Sequence, residues 1–283
     1  MNEPIILCVH GLRNKPSPEN LRALWEEAIV DGLQRNERRT AGQTAPAIDI
    51  AYWADVLYPE PDEDRKYPSC DTNCTLARYD DGFWDDLRAD AQDLVGPAVE
   101  TAKRWLGIDS GAEAFLKRVF NDLHRYYTED DTRAEVRERL REKILQYRTR
   151  RIMVIGHSMG SIVAYDVLRR LGRQFTDLSI DHFVTIGSPL GLPHVKVKIF
   201  EENDLVRTPS LVRRWTNFSE RRDPVAFDTH LAREFAANDR GIRVEDDLVL
   251  NTSVTGEDGS IDYHSSIGYL RTPEVSAIIR SFI

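Results

Sequence analysis

Ile152-Met153-Val154-Ile155-Gly156-His157-Ser158-Met159-Gly160-Ser161 delivers an apolar run into a serine flanked by glycines. Four consecutive apolar residues, Ile152 to Ile155, read as a strand buried on both faces, the condition of a central strand in a parallel sheet. A helical pattern follows at once, with Ile162, Val163, Tyr165, Val167, Leu168 and Leu171 at three- and four-residue spacing. A strand that becomes a helix within about two residues of Ser158 turns so sharply that backbone crowds the positions two before and two after the apex. Gly156 and Gly160 stand at those positions. The apex serine is expected in a strained conformation, its hydroxyl above the carboxyl end of the sheet and at the positive end of the following helix.

Upstream, Ile5-Ile6-Leu7-Cys8-Val9 is a second continuous apolar run, ending in His10-Gly11-Leu12 and a polar, proline-bearing stretch to Pro18. It reads as a buried strand followed by a loop. Leu21, Leu24, Trp25, Ala28, Ile29 and Leu33 then predict an amphipathic crossover helix stopping near Asn36, and residues 47–53 predict the next strand. Strand, helix, strand is the unit of a parallel sheet. From Asp55 to about Asp130 regularity breaks: an acidic, proline-bearing loop containing Cys70 and Cys74 precedes short helical patterns rich in aromatics, among them Trp84, Trp105, Phe115 and Phe120. The segment is too long for a plain crossover, so a helical insertion over 55–130 is expected within a single domain spanning 1–283. It reads equally as a cap over the site or as an added layer on the sheet edge.

Arg133 to Tyr147 is a charged helix with Val136, Leu140 and Ile144 on one stripe. Downstream of the elbow helix, residues 180–186 read as a strand closing in Gly187-Ser188-Pro189. A weaker strand follows over 213–218, another over 246–254, and a last helix opens at Thr272-Pro273-Glu274.

Composition bounds the reading. The chain has 283 residues, 41% hydrophobic and 30% charged, enough for an ordinary core with a well-solvated surface. A net charge of −9 argues against sequence-independent binding of nucleic acid and against adsorption to anionic lipid. Three cysteines, Cys8, Cys70 and Cys74, make no disulfide framework and no finger-like metal spacing, which suits reducing, cytoplasmic surroundings. No run approaches the length that spans a bilayer, so no stable membrane insertion is expected. The oligomeric state is not readable.

Taken together, the Gly-His-Ser-Met-Gly turn, its strand and its helix resemble the nucleophile elbow of the α/β-hydrolase superfamily, in its lipase and esterase branches. The resemblance implies an α/β-hydrolase fold, a mostly parallel sheet flanked by helices. It also implies an oxyanion hole from the backbone N–H groups of Leu12 and Met159, the lesser alternative being that Gly11 merely turns the chain and His10 caps a strand. The family's chain order is serine, acid, histidine. His264, in a loop after the last predicted strand and before the closing helix, stands where the family carries its base. Asp223, in Asp-Pro-Val after a strand, stands where it carries the acid, with Asp228 and Asp204 as alternatives.

His157 adjoins the nucleophile but is read as pointing elsewhere on the turn, and His182 as lying within a strand. The resemblance therefore implies a serine esterase with Ser158, Asp223 and His264 as triad, acting on a small-molecule or lipid ester without metal or cofactor. Acyltransferase, thioesterase or amidase chemistry uses the same parts. A hydrolase-like interaction module with a vestigial site is the alternative of a different class.

Overall fold

The computed structural model describes residues 3–37, 45–63, 122–223, 225–226, 230–251, 253–255 and 260–283. The chain divides into two compact units, Met1–Arg78 with Ala134–Ile283, and Tyr79–Arg133. Of the expected insertion over 55–130, residues 64–121 lie outside the described residues, and with them Cys70, Cys74, Trp84, Trp105, Phe115 and Phe120. In the second unit, residues 122–128 are helical, and the Arg133 guanidinium lies over the rings of Tyr126 and Tyr127, 5.0 and 4.8 Å from their centroids.

The first unit is built on a six-stranded parallel sheet in the order β2-β1-β3-β4-β5-β6, with β1 Pro4–Val9, β2 Ile48–Ala51, β3 Arg151–His157, β4 His182–Ile186, β5 Trp215–Ser219 and β6 Val244–Leu248. Every neighbouring pair runs parallel, from Ile6 beside Ile48 and Met153 in the middle to Trp215 beside Val244 at the edge. The reason the inner strands read as unbroken apolar runs is that helices cover both faces. On one face, Ile6, Cys8, Met153, Ile155, Val184, Ile186 and Phe218 meet α1 (Pro18–Asn36), α6 (Ser266–Arg271) and α7 (Pro273–Phe282) through Trp25, Ile29, Leu270, Val275 and Ile279. On the other, α4 (Met159–Gln174) brings Tyr165 against Trp215 and Phe235, and Phe183 packs on Trp215.

Between β2 and β3 run α2 (Ala54–Leu57) and α3 (Asp130–Gln146), the latter burying Val136, Leu140 and Ile144. Helix α5, Pro193–Asn203, follows β4. No helix among the described residues is long and apolar enough to cross a membrane.

One expectation needs correction, and one helix was not expected. The strand expected over 246–254 lies at Val244–Leu248, while Val254–Thr255 pairs antiparallel with Ser260–Ile261 in a separate hairpin, β7 and β8. As the outer strand, β6 exposes Glu245 and Asp247, so its register is hidden from a search for apolar runs. Helix α5 escaped notice because Val195, Val197 and Ile199 alternate with charged residues, a period that mimics a strand. His182 does lie in β4, where its Nε2 shares a hydrogen bond with Thr216 Oγ1 at 2.9 Å.

Candidate active site

Ser158 sits between β3 and α4 with φ 54° and ψ −132°, a positive φ that a residue with a side chain rarely adopts. The glycines around it are required by close approach. A Cβ on Gly160 would run into the carbonyl oxygens of Val9 and His10, and one on Gly156 would come within 2.7 Å of the Ser161 Cα. Below the turn, Ser161 Oγ donates to Ser158 O at 2.6 Å and shares a second bond with Ser188 Oγ at 2.7 Å. Met159 is the first residue of α4, where a backbone N–H has no acceptor within the helix itself.

The His10-Gly11-Leu12 loop abuts this turn, since a Cβ on Gly11 would lie 2.6 Å from Ser158 Cβ. His10 is fully buried, and both of its ring nitrogens are engaged. The Trp53 N–H donates to Nε2 at 3.0 Å, which leaves the proton on Nδ1, and Nδ1 donates to Gly11 O at 2.9 Å. Trp53 Nε1 donates to His10 O at 3.0 Å while its ring stacks on the imidazole. Further along, the buried Lys15 ammonium donates to the carbonyls of Leu12 and Arg13, and Arg13 itself has φ 72°. Holding Gly11 O on the His10 side turns the Leu12 N–H of the same peptide the opposite way.

Asp223 and His264 come together. His264 Nδ1 lies 2.9 and 2.8 Å from the two carboxylate oxygens. A carboxylate only accepts here, so Nδ1 carries a proton and donates it. The Asp223 carboxylate is closed off from solvent while His264 retains some exposure. Asp223 Oδ1 also accepts from the N–H groups of Val225 at 2.8 Å and Ala226 at 3.4 Å. Oδ2 accepts from the Tyr269 hydroxyl at 2.7 Å, and that hydroxyl accepts in turn from Glu220 N at 2.9 Å. Burial, with the Asp223 charge beside it, pushes the Tyr269 phenol well above its usual value and keeps it a donor.

The end of β4 links these groups to the serine. Ser158 N donates to Ile186 O at 3.1 Å, and a Cβ on the next residue, Gly187 (φ 54°), would lie 2.8 Å from Asp223 Oδ2 and 3.1 Å from His264 Nδ1. Ser158, Asp223 and His264 therefore share the carboxyl edge of the sheet, after β3, after β5 and before α6. A serine on a strand-to-helix turn, with an acid and a histidine after later strands of a parallel sheet, is the chain order expected from the resemblance. The chain has the α/β-hydrolase fold.

A model of the PGAP1-like alpha/beta domain matches residues 115–255, which takes in Ser158 and Asp223 and stops short of His264. Among solved structures, an uncharacterized protein from Bacillus cereus ATCC 10987 is similar at 11% identity and a TM-score of 0.35 over 100% of this hydrolase-like chain. The alignment spans 60% of the Bacillus cereus chain. A lipase-esterase related protein from Clostridium acetobutylicum ATCC 824 is similar at 8% identity and a TM-score of 0.34, with 99% of this chain and 94% of that chain covered. No curated protein matches the sequence.

The other expected residues fall elsewhere. Asp204 is exposed, in the left-handed cap that ends α5. Asp228 and Pro224 lie outside the described residues, as does the side chain of His194. His157 does not point away: its Nε2 donates to the backbone carbonyl of His264 at 2.8 Å, and the two rings stand 4.6 Å apart. Glu220, Asn251 and Tyr269 were not singled out from sequence, and all three are buried around the pair. Gly268, next to Tyr269, was the one local hint of a crowded spot.

Proposed function

We propose that this α/β-hydrolase is a serine esterase that cleaves carboxylic esters through an acyl-enzyme. Ser158 Oγ attacks the ester carbonyl as its proton passes to His264 Nε2. Asp223 holds the Nδ1–H and stabilises the imidazolium that forms, and the N–H groups of Leu12 and Met159 receive the oxyanion. Collapse of the tetrahedral intermediate expels the alcohol with the proton from His264. Water then attacks the acyl-serine by the same route, releasing the acid and restoring the hydroxyl.

One observation carries this reading: the buried Asp223 carboxylate accepts the Nδ1–H of His264, on the same edge of the sheet as a serine held at positive φ. A purely binding surface has no use for that pairing at a strained serine. Esters are preferred over amides as substrates because an alkoxide leaves more readily than an amine.

The test is labelling with a fluorophosphonate combined with hydrolysis of p-nitrophenyl, thioester and amide substrates. Wild-type protein should label and turn over the ester fastest, and Ser158→Ala should do neither while melting cooperatively. Labelling that persists in the Ala variant would place the nucleophile elsewhere. A folded wild-type protein inert to both probes would mean an interaction module instead.

A further inference from the structure

The loop that carries His264 is held by its carbonyl groups. Asn251 is fully buried, and its Nδ2 donates to Tyr263 O at 3.0 Å and to Ser265 O at 2.9 Å, bracketing His264 on both sides. The carbonyl between them, His264 O, accepts from His157 Nε2 at 2.8 Å. Three consecutive carbonyls are thus fixed by two side chains. The His264 N–H is engaged as well, donating to Asp262 Oδ1 at 3.0 Å, so the backbone around the base has little freedom to move.

Asn251 is itself anchored to the loop that carries Asp223. Its N–H donates to Glu220 Oε2 at 2.9 Å, and its Oδ1 accepts from Ser253 N at 3.3 Å. The Glu220 carboxylate, fully buried, is paired with Arg222 Nε at 2.9 Å, and the Arg222 guanidinium lies 4.2 Å over the Tyr263 ring. Gly268 leaves the space Asn251 occupies, because a Cβ there would overlap the Asn251 amide.

We infer that Asn251 and His157 are positioning residues for the base, a clamp on the carbonyls of Tyr263, His264 and Ser265 that sets where the His264 imidazole stands relative to Ser158 and Asp223. The assignment rests on the esterase reading for its catalytic consequence. Its structural content, the placement of the ring, can be measured without turnover. A hydrogen-bonded side chain on a loop drifts unless its backbone is restrained, and a shift of about 1 Å can cost about a hundredfold in rate.

His157→Phe tests the clamp with little change in volume, since it keeps a ring against His264 and removes the ring nitrogens, the Nε2–H donor among them. His157→Gln restores an N–H donor at similar reach. Asn251→Leu removes the other two bonds, but it leaves two buried carbonyls without their donor and can fail to fold, so His157→Phe decides.

Two readouts are taken on the full chain. The first is the downfield proton resonance of His264 Nδ1–H, assigned by its loss in His264→Ala. The second is kcat and KM on p-nitrophenyl acetate. His157→Phe should broaden or abolish the resonance and lower kcat about 10- to 100-fold with KM within about twofold, and His157→Gln should recover both.

The clamp is overturned if His157→Phe keeps the resonance and the wild-type kcat, or if His157→Gln is as impaired as His157→Phe. If the wild-type protein neither labels nor hydrolyses, the esterase reading fails, and the resonance alone decides the clamp: its loss in His157→Phe upholds it and its persistence ends it.

Discussion

In the proposed function Ser158 combines two demands that pull against each other, a side chain for chemistry and a backbone angle that suits glycine. Removing the side chain should therefore relieve local strain on the order of 1 kcal/mol. Ser158→Gly and Ser158→Ala should both lose hydrolysis, and in chemical denaturation the Gly variant should be the more stable of the two. Equal stabilities would mean that the turn is relaxed as it stands.

A second residue-scale prediction concerns Tyr269, whose hydroxyl bridges Asp223 Oδ2 and Glu220 N. Tyr269→Phe leaves a buried N–H without its acceptor and a buried carboxylate short of one donor, which should lower unfolding stability by about 1–3 kcal/mol. It should also lower kcat while leaving KM nearly unchanged, because the loss is felt through the orientation of the imidazole. Loss of stability with kcat unaltered would make Tyr269 a packing residue only.

These residues also mark how far the site could be read from sequence. Ser158, Asp223 and His264 could be put forward as candidates because each follows a strand in a recognisable order. Glu220, Asn251 and Tyr269 could not, since a polar side chain buried by distant partners leaves no local pattern. His157 was misjudged for a related reason: its neighbour in sequence is the serine, and its partner lies 107 residues on.

Among the elements, α4 approaches β1 closely, with Gly160 against the carbonyl oxygens that end that strand. Gly160→Ala should separate the elbow from the His10-Gly11-Leu12 loop. Roughly 2–4 kcal/mol of destabilisation is expected from backbone that cannot yield, against a helix propensity that alone would favour alanine by about 1 kcal/mol. A variant that melts at or above wild type would show that the helix can shift at no cost.

The elements that sequence reading captured well are those buried on both sides: β1, β3 and β4, with α1 and α4 in the crossovers. It faltered at the margins, where β6 turns charged side chains to solvent and α5 alternates like a strand. There the burial pattern reflects tertiary neighbours more than local period.

For the chain as a whole, acid sensitivity follows from His182. Burial, and secondarily the Arg214 charge, push its imidazole from an ordinary 6.5 down to about 3. Unfolded chains take up a proton on this residue below pH 6.5 that the folded protein refuses. Its contribution to stability is therefore complete above about 6.5 and is lost progressively as the pH falls to about 3, by up to about 1.4 kcal/mol per pH unit. Denaturation at pH 7 and pH 4.5 should show His182→Gln losing less stability on acidification than wild type. An identical loss in both would assign the acid sensitivity to carboxylates alone.

The strand order β2-β1-β3-β4-β5-β6 bears on timing as well as on architecture. From β3 onward each new strand is laid on the outer side of the one before it, so the sheet grows toward one edge in the order of synthesis. Ser158 is in place early in that sequence, but His264 can reach it only after β5 has brought Asp223 and the segment beyond β6 has folded back under α6. Refolding followed by fluorescence of the buried Trp25 and Trp53 should therefore run ahead of refolding followed by fluorophosphonate reactivity, the nucleophile waiting on the last part of the chain to dock.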